Sequence, residues 1–167
     1  MTLIEGNPAS PVRVVIFEDL QCGDCTRLRR MMDSALLPRF GAGVAFEHHD
    51  FPLPKHSWAR PAAAAARYFD GLDAPLGAAF RRETLECLKQ ISTGTLPDHV
   101  AAFARSHGIE PPPATAAPAL EGAVEADYRE GLARGVAKTP TVFVNGRAFI
   151  EVFTLEEISR AIEEAGA

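Results

Sequence analysis

With 167 residues and 47% hydrophobic content, the chain has the size and the apolar material for a single domain spanning 1–167. Its formal net charge of −5 argues against a nucleic-acid groove driven by global charge. No run of about eighteen apolar residues is present to span a membrane, and three cysteines are too few, and odd in number, for a disulfide scaffold.

Met1-Thr2-Leu3-Ile4-Glu5-Gly6 has neither a basic nor an apolar leader segment. The chain as written is therefore expected in the cytoplasm, and in an extracytoplasmic compartment if an export signal has been trimmed. The first regular element is a strand over 12–18, where Val12-Arg13-Val14-Val15-Ile16-Phe17 is short and β-branched. Cys22-Gly23-Asp24-Cys25 follows. A helix over 23–40 comes next, with Leu28, Met31, Met32, Ala35 and Leu36 on one stripe and Arg27, Arg29 and Arg30 off it. Pro38 is expected to kink or end it. Cys22 then stands at a helix N-terminus, where free backbone N–H groups and the helix dipole favour the thiolate, the reactive form. Cys25, one turn on, is placed to attack a mixed disulfide formed at Cys22.

Gly41-Ala42-Gly43 reads as a loop and 44–50 as a second strand, giving a parallel strand–helix–strand unit. From about 55 to 135 the pattern is helical. Ala62 to Ala66 forms one helix with Gly71 as its stop; others run over 75–91, 97–107 and, after the break at Pro111-Pro112-Pro113, 119–134. The last carries Leu120, Val124, Tyr128 and Leu132 at near-fourfold spacing. Thr139-Pro140 then opens a strand over 141–144, and Asn145-Gly146 turns it into a second strand over 147–150. An X-Pro bond is the usual place for a cis peptide. Thr154-Leu155-Glu156-Glu157 is a capping box for a final helix over 155–165.

Zinc is the rival chemistry for the two cysteines. It needs further ligands, and His48 and His49 are the obvious offer. Adjacent strand residues point to opposite faces, and no second CxxC or His-x₃-His is present, so no metal is expected. The plainer reading of the two histidines is one solvent-facing and one packed. Cys87 shares a stripe with Phe80, Thr84, Leu88 and Ile91 and is expected to be buried packing. His56 and Trp58 read as packing at the start of the helical segment.

In these pieces the chain resembles the DsbA-like branch of the thioredoxin superfamily, in its short bacterial form. The resemblance is carried by Gly6-Asn7-Pro8-Ala9-Ser10-Pro11-Val12, by Phe17-Glu18-Asp19-Leu20-Gln21-Cys22-x-x-Cys25, by Phe51-Pro52-Leu53 with His56 and an alanine-rich helix, and by Thr139-Pro140-Thr141-Val142-Phe143-Val144-Asn145-Gly146. It implies an α/β thioredoxin fold (βαβ plus ββα), a sheet of about four strands, and a helical insertion at about 55–135 over the active-site end. It implies thiol–disulfide exchange with cysteine-containing protein substrates, no cofactor, and a redox recycling partner that the sequence does not identify. It also implies that Thr139–Pro140 is cis and packs beside the cysteines, where substrate backbone docks. Gly23 and Asp24 depart from the Pro-His pair usual in oxidising relatives. An ionised Asp24 repels a thiolate, which predicts a weaker oxidant and leans toward reductase or isomerase. Many thioredoxin-like proteins carry a buried acid where this chain has Ile16. Asp19 matches an acid common in the short relatives, where it shapes the turn or handles the proton of Cys25; Glu18 is the weaker candidate. Two alternatives stay open: a glutathione-dependent transferase or isomerase on the same fold, and a non-enzymatic redox sensor or partner-binding module.

Overall fold

A computed structural model describes residues 2–166. The elements are β1 (Leu3–Gly6), β2 (Arg13–Glu18), α1 (Gly23–Met31), a π-helical stretch (Met32–Leu36), α2 (Leu37–Phe40), β3 (Ala45–Asp50), α3 (Ala59–Leu72), α4 (Ala74–Glu86), α5 (Leu96–Ser106), α6 (Ala117–Ala133), β4 (Thr141–Val144), β5 (Arg147–Ile150) and α7 (Leu155–Glu164). Among the described residues the sheet has five strands in the order β1-β3-β2-β4-β5. β2 and β3 run parallel, with Phe17 beside His49 and Glu18 beside Asp50. β4 returns antiparallel against β2, and β5 against β4. The expectation of about four strands omits β1, which pairs antiparallel with β3 through Leu3 and His48. Four residues with only Leu3 fully buried are too few to show an alternation.

Alternation along β2 divides the molecule. Val14 and Ile16 join Leu28, Met32, Phe46, Val142, Ile158 and Ile162 in a core between the sheet and helices α1 and α7. Phe17 faces the other way and packs with Phe51 and Val136. The helical insertion builds a third core, in which Phe69, Phe80, Phe103 and Trp58 close over Leu20 and the two cysteines.

The first helix covers 23–40 as expected: it runs from α1 through the π-helical stretch to Phe40, and that stretch just before Pro38 accommodates a ring that cannot donate and crowds the preceding turn. Three other expectations need correction. Gly71 lies inside α3, which ends one residue later at Leu72. α4 stops at Glu86 rather than at 91, so Cys87 begins a turn and is only half-buried. The buried stripe of α6 is Val124, Asp127 and Gly131, while Leu132 is exposed. Gly131 lies there because a Cβ would stand 2.5 Å from the Phe51 ring, and Asp127 because it accepts the Asp50 N–H. The hairpin and the cap are as expected: Asn145 and Gly146 both have positive φ, and Thr154 and Glu157 exchange both capping-box bonds.

α3 and α4 cross at Gly77, where an added Cβ would meet the Asp70 Cα at 2.7 Å and the Asp70 N at 2.8 Å. The contact is with backbone, so a rotamer change cannot relieve it. Gly77→Ala is expected to cost about 1–3 kcal/mol through overpacking. A thermal unfolding midpoint equal to wild type would refute this.

Candidate active site

The strand-to-helix turn after β2 places both sulfurs. Leu20 is buried and anchors the turn, and the Cys22 N–H closes it by donating to the Asp19 carbonyl at 3.0 Å. Cys22 is the N-cap of α1, with extended backbone angles and no side-chain cap, so its sulfur faces the free N–H groups of the first turn. Cys25 lies one turn on and is fully buried, whereas Cys22 is 7% exposed. Both are free thiols.

The two acidities diverge. The Cys22 thiol is lowered from 9.0 to about 6. The largest cause is a hydrogen bond from the Cys25 thiol. Burial opposes it, and the Thr139 side chain and the backbone N–H groups of Cys25 and Asp24 add to it. Cys25 is pushed well above 9.0 by burial first, then by the neighbouring Cys22 sulfur, with the Glu18 carboxylate adding to the rise. Of the two sulfurs, Cys22 is therefore the one disposed to ionise, while burial favours the protonated form of Cys25.

Thr139 and Pro140 come from the far end of the chain to this point. The Cys22 thiol lies 3.3 Å from the Thr139 carbonyl oxygen. The Thr139–Pro140 peptide is cis, and both residues are buried. Among the described residues the buried Thr139 hydroxyl has no hydrogen-bond partner, so it is available to a thiolate. Thr141 Oγ1 donates to the Lys138 carbonyl at 2.7 Å, and the Glu151 N–H donates to the Pro140 carbonyl at 2.8 Å, which fix the loop. Lys138 itself is paired with Glu151 at 2.6 Å.

Asp24 is exposed, and its carboxylate lies 3.6 Å from Arg27. Its backbone N–H, not its carboxylate, is what reaches Cys22. Gly23 is also exposed, with nothing within 4 Å of a built Cβ, so the position tolerates a side chain. Asp19 is a hub of the turn. Its carboxylate accepts from the Gln21 N–H, the Leu53 N–H and His56 Nδ1, each at 2.7 Å. Burial raises its pKa against those bonds. Its link to Cys25 is its own backbone N–H, 3.4 Å from the sulfur. His56 is thus part of the site's frame, and Trp58 is buried in the core that holds the cysteines.

The sequence underrates Glu18 and gives no sign of Gln21. Glu18 is buried and paired with His48 Nδ1 at 3.0 Å and with Arg81 at 3.4 Å. It is the carboxylate whose charge is felt at Cys25, and only the period-two alternation of β2 points to its face. Gln21 Oε1 accepts the Trp58 N–H at 2.8 Å, an interaction between distant residues with no local signature. The histidines need correction as well. Both are buried: His48 lies between Glu5 and Glu18, and His49 is on the opposite face.

The family described as Thioredoxin matches residues 1–164. No curated protein matches the chain. Among solved structures, the thiol-disulfide exchange protein alpha-DsbA2 from Wolbachia pipientis aligns at TM-score 0.80 and 19% identity, covering 98% of this chain and 86% of that one. A periplasmic thioredoxin-like protein from Salmonella enterica serovar Typhimurium aligns at TM-score 0.81 and 16% identity, covering 98% and 89%. The catalytic domain of Proteus mirabilis ScsC aligns at TM-score 0.80 and 14% identity, covering 98% and 88%.

Proposed function

The chain belongs to the thioredoxin family, and on that premise we propose that it is a DsbA-like thiol–disulfide oxidoreductase acting on cysteine-containing proteins through Cys22 and Cys25. The observation that carries this reading is geometric: two free thiols stand one helical turn apart, with Cys22 at the N-terminus of α1 and 3.3 Å from the Thr139 carbonyl oxygen, beside the cis Thr139–Pro140 peptide. In the reducing direction the Cys22 thiolate attacks one sulfur of a client disulfide. That S–S bond breaks, a mixed disulfide forms, and the client's other sulfur leaves as a thiolate that takes up a proton. Cys25 then gives up its proton and attacks the Cys22 sulfur, which releases the client as a dithiol and leaves a Cys22–Cys25 disulfide. Two electrons pass to the client, and a reducing recycling partner supplies two more to the Cys22–Cys25 disulfide to restore the dithiol.

The other residues divide the supporting work. The Thr139–Pro140 loop receives client backbone, and the Thr139 hydroxyl donates to the thiolate. Asp19 shapes the turn that presents both cysteines, while Gly23 and Asp24 set the exposed rim of the site. A groove beside Gly23, lined by Thr26, Arg30, Leu85, Leu88 and Lys89, continues the surface on which a client strand lies.

A Cys22 pKa of about 6 favours reductase or isomerase over strong oxidase. Nucleophilic cysteines of this kind lie near roughly 7 in thioredoxin and roughly 3.5 in the strong oxidant DsbA. The periplasmic name of the Salmonella structure supports an extracytoplasmic place of action. Among the described residues no helix is long and apolar enough to cross a membrane.

Cys25→Ala removes the resolving sulfur, so clients are expected to accumulate as mixed disulfides on Cys22. They should be released by dithiothreitol and be absent from the Cys22→Ser, Cys25→Ala double variant. No adducts from a cell extract, with wild type still reducing insulin, would overturn the assignment of protein clients.

A further inference from the structure

The sheet face opposite α1 carries a second cluster that thiol chemistry does not use. His49 projects from β3 on that face, beside Phe17, at a ring-centroid distance of 5.0 Å. It is 7% exposed, and among the described residues neither ring nitrogen has a hydrogen-bond partner. An imidazole buried with both nitrogens unsatisfied is costly unless something else binds it. Its Nδ1 is aimed at two carboxylates of α6, lying 3.4 Å from Asp127 Oδ1 and 3.7 Å from Glu130 Oε2.

The free oxygens are the ones that face the imidazole. Asp127 uses Oδ2 for the Arg67 guanidinium and for the Asp50 N–H at 2.8 Å, which leaves Oδ1 toward His49. Glu130 uses Oε1 for Arg134 at 2.6 Å, which leaves Oε2. Both carboxylates are therefore held from behind, as metal ligands commonly are. The three ligand atoms lie within 4.8 Å of one another. Around a tetrahedral zinc with arms of about 2.0–2.1 Å, neighbouring ligand atoms stand about 3.3–3.4 Å apart. One separation here matches that edge and a second exceeds it by a few tenths of an ångström. The Glu130 side chain is 40% exposed, which gives an ion a way in from solvent.

We propose that His49 Nδ1, Asp127 Oδ1 and Glu130 Oε2 bind one divalent transition-metal ion of the zinc type, with water completing the coordination. One nitrogen and two carboxylate oxygens suit a borderline cation better than calcium or magnesium, which take oxygen sets. The ion would tie α6 to β3 and so clamp the helical insertion onto the sheet. Asp127 and Glu130 stand three apart on α6, but two carboxylates at that spacing are no metal motif by themselves, and the nitrogen ligand comes from β3, far away in sequence. Binding here is independent of the thiol function.

The test uses the full chain with Cys22, Cys25 and Cys87 changed to serine, so that no thiolate captures the metal. Titration with Zn²⁺ should show one ion per chain and a rise in the thermal midpoint, because the ion binds only the folded state. Glu130→Gln, at the exposed side of the cluster, should weaken Zn²⁺ binding about tenfold or more while leaving the metal-free midpoint near its starting value. Co²⁺ should show visible d–d bands that disappear in His49→Gln. Absence of stoichiometric Zn²⁺ binding, or binding unaltered by Glu130→Gln, would overturn the site and leave His49 paired with the α6 carboxylates alone.

Discussion

At pH 7, limiting iodoacetamide is expected to alkylate Cys22 and leave Cys25 unmodified in the reduced protein. A thiol with a pKa of about 6 is about 90% thiolate at that pH, against about 1% at the ordinary value of 9.0. The alkylation rate should therefore rise with pH through a midpoint at about 6. Cys25→Ala should move that midpoint upward, because the Cys25 thiol is the largest stabiliser of the thiolate. Cys22→Ser should reduce insulin turnover to background without altering the far-ultraviolet dichroism, since the residue packs at the rim of its core. The sign of the linkage follows from the lowered pKa. The thiolate stabilises the reduced folded chain fully above about pH 9, and this contribution is lost as pH falls through about 6. A midpoint near 9, or equal labelling of both cysteines, would remove the basis for calling Cys22 the nucleophile.

Local chemistry makes the outline of the site legible in the sequence. A CxxC between a β-branched run and an amphipathic stretch, a Thr-Pro opening a strand and an Asn-Gly turn are each short-range signals. The hairpin and the last helix fall where those signals put them. What surrounds the sulfurs is not legible in this way. Asp19 holds His56 and the Leu53 N–H, and Glu18 holds His48 and Arg81, through contacts between residues far apart in the chain. A carboxylate or guanidinium on a helix reads as a solvated face when its partner cannot be seen. The same blindness misplaces the histidines, since the exposure expected for one of them is set by α6 and by β1, not by β3 itself. Asp24 is a subtler case. Its identity suggests repulsion of the thiolate, yet its carboxylate faces Arg27 and its N–H faces the sulfur.

The largest stability effect is expected at Arg81, a charged residue on the buried face of α4 with Gly77, Ala78, Thr84 and Leu85. Its side chain is fully buried. It meets Asp50 at 2.7 Å, Asp70 at 2.7 Å and Glu18 at 3.4 Å, so one guanidinium neutralises part of the charge on β2, β3 and α3. Neighbouring pairs extend this pattern. Arg67 bridges Asp50 and Asp127, His48 bridges Glu18 and Glu5, and Arg29 joins Glu5 to Asp33. Burial alone would depress the His48 pKa, but the two carboxylates outweigh it and hold the imidazole protonated, with a pKa raised to about 9. Removing a buried ion's partner leaves uncompensated charge in a poor solvent, at a cost of about 3–5 kcal/mol. Arg81→Ala strands parts of three carboxylates and opens a cavity, so it should fall at the upper end of that range. Domains of this kind are stable by only about 5–15 kcal/mol. The urea midpoint should therefore drop by a large fraction of its wild-type value. Arg82→Ala provides the contrast, because Arg82 lies on the same helix, is 36% exposed and pairs with Asp33 at 2.8 Å. Its loss should cost no more than about 1 kcal/mol. Equal urea midpoints for the two variants would show that the buried charges are solvated or rearranged, and that the insertion is held to the sheet by apolar packing alone.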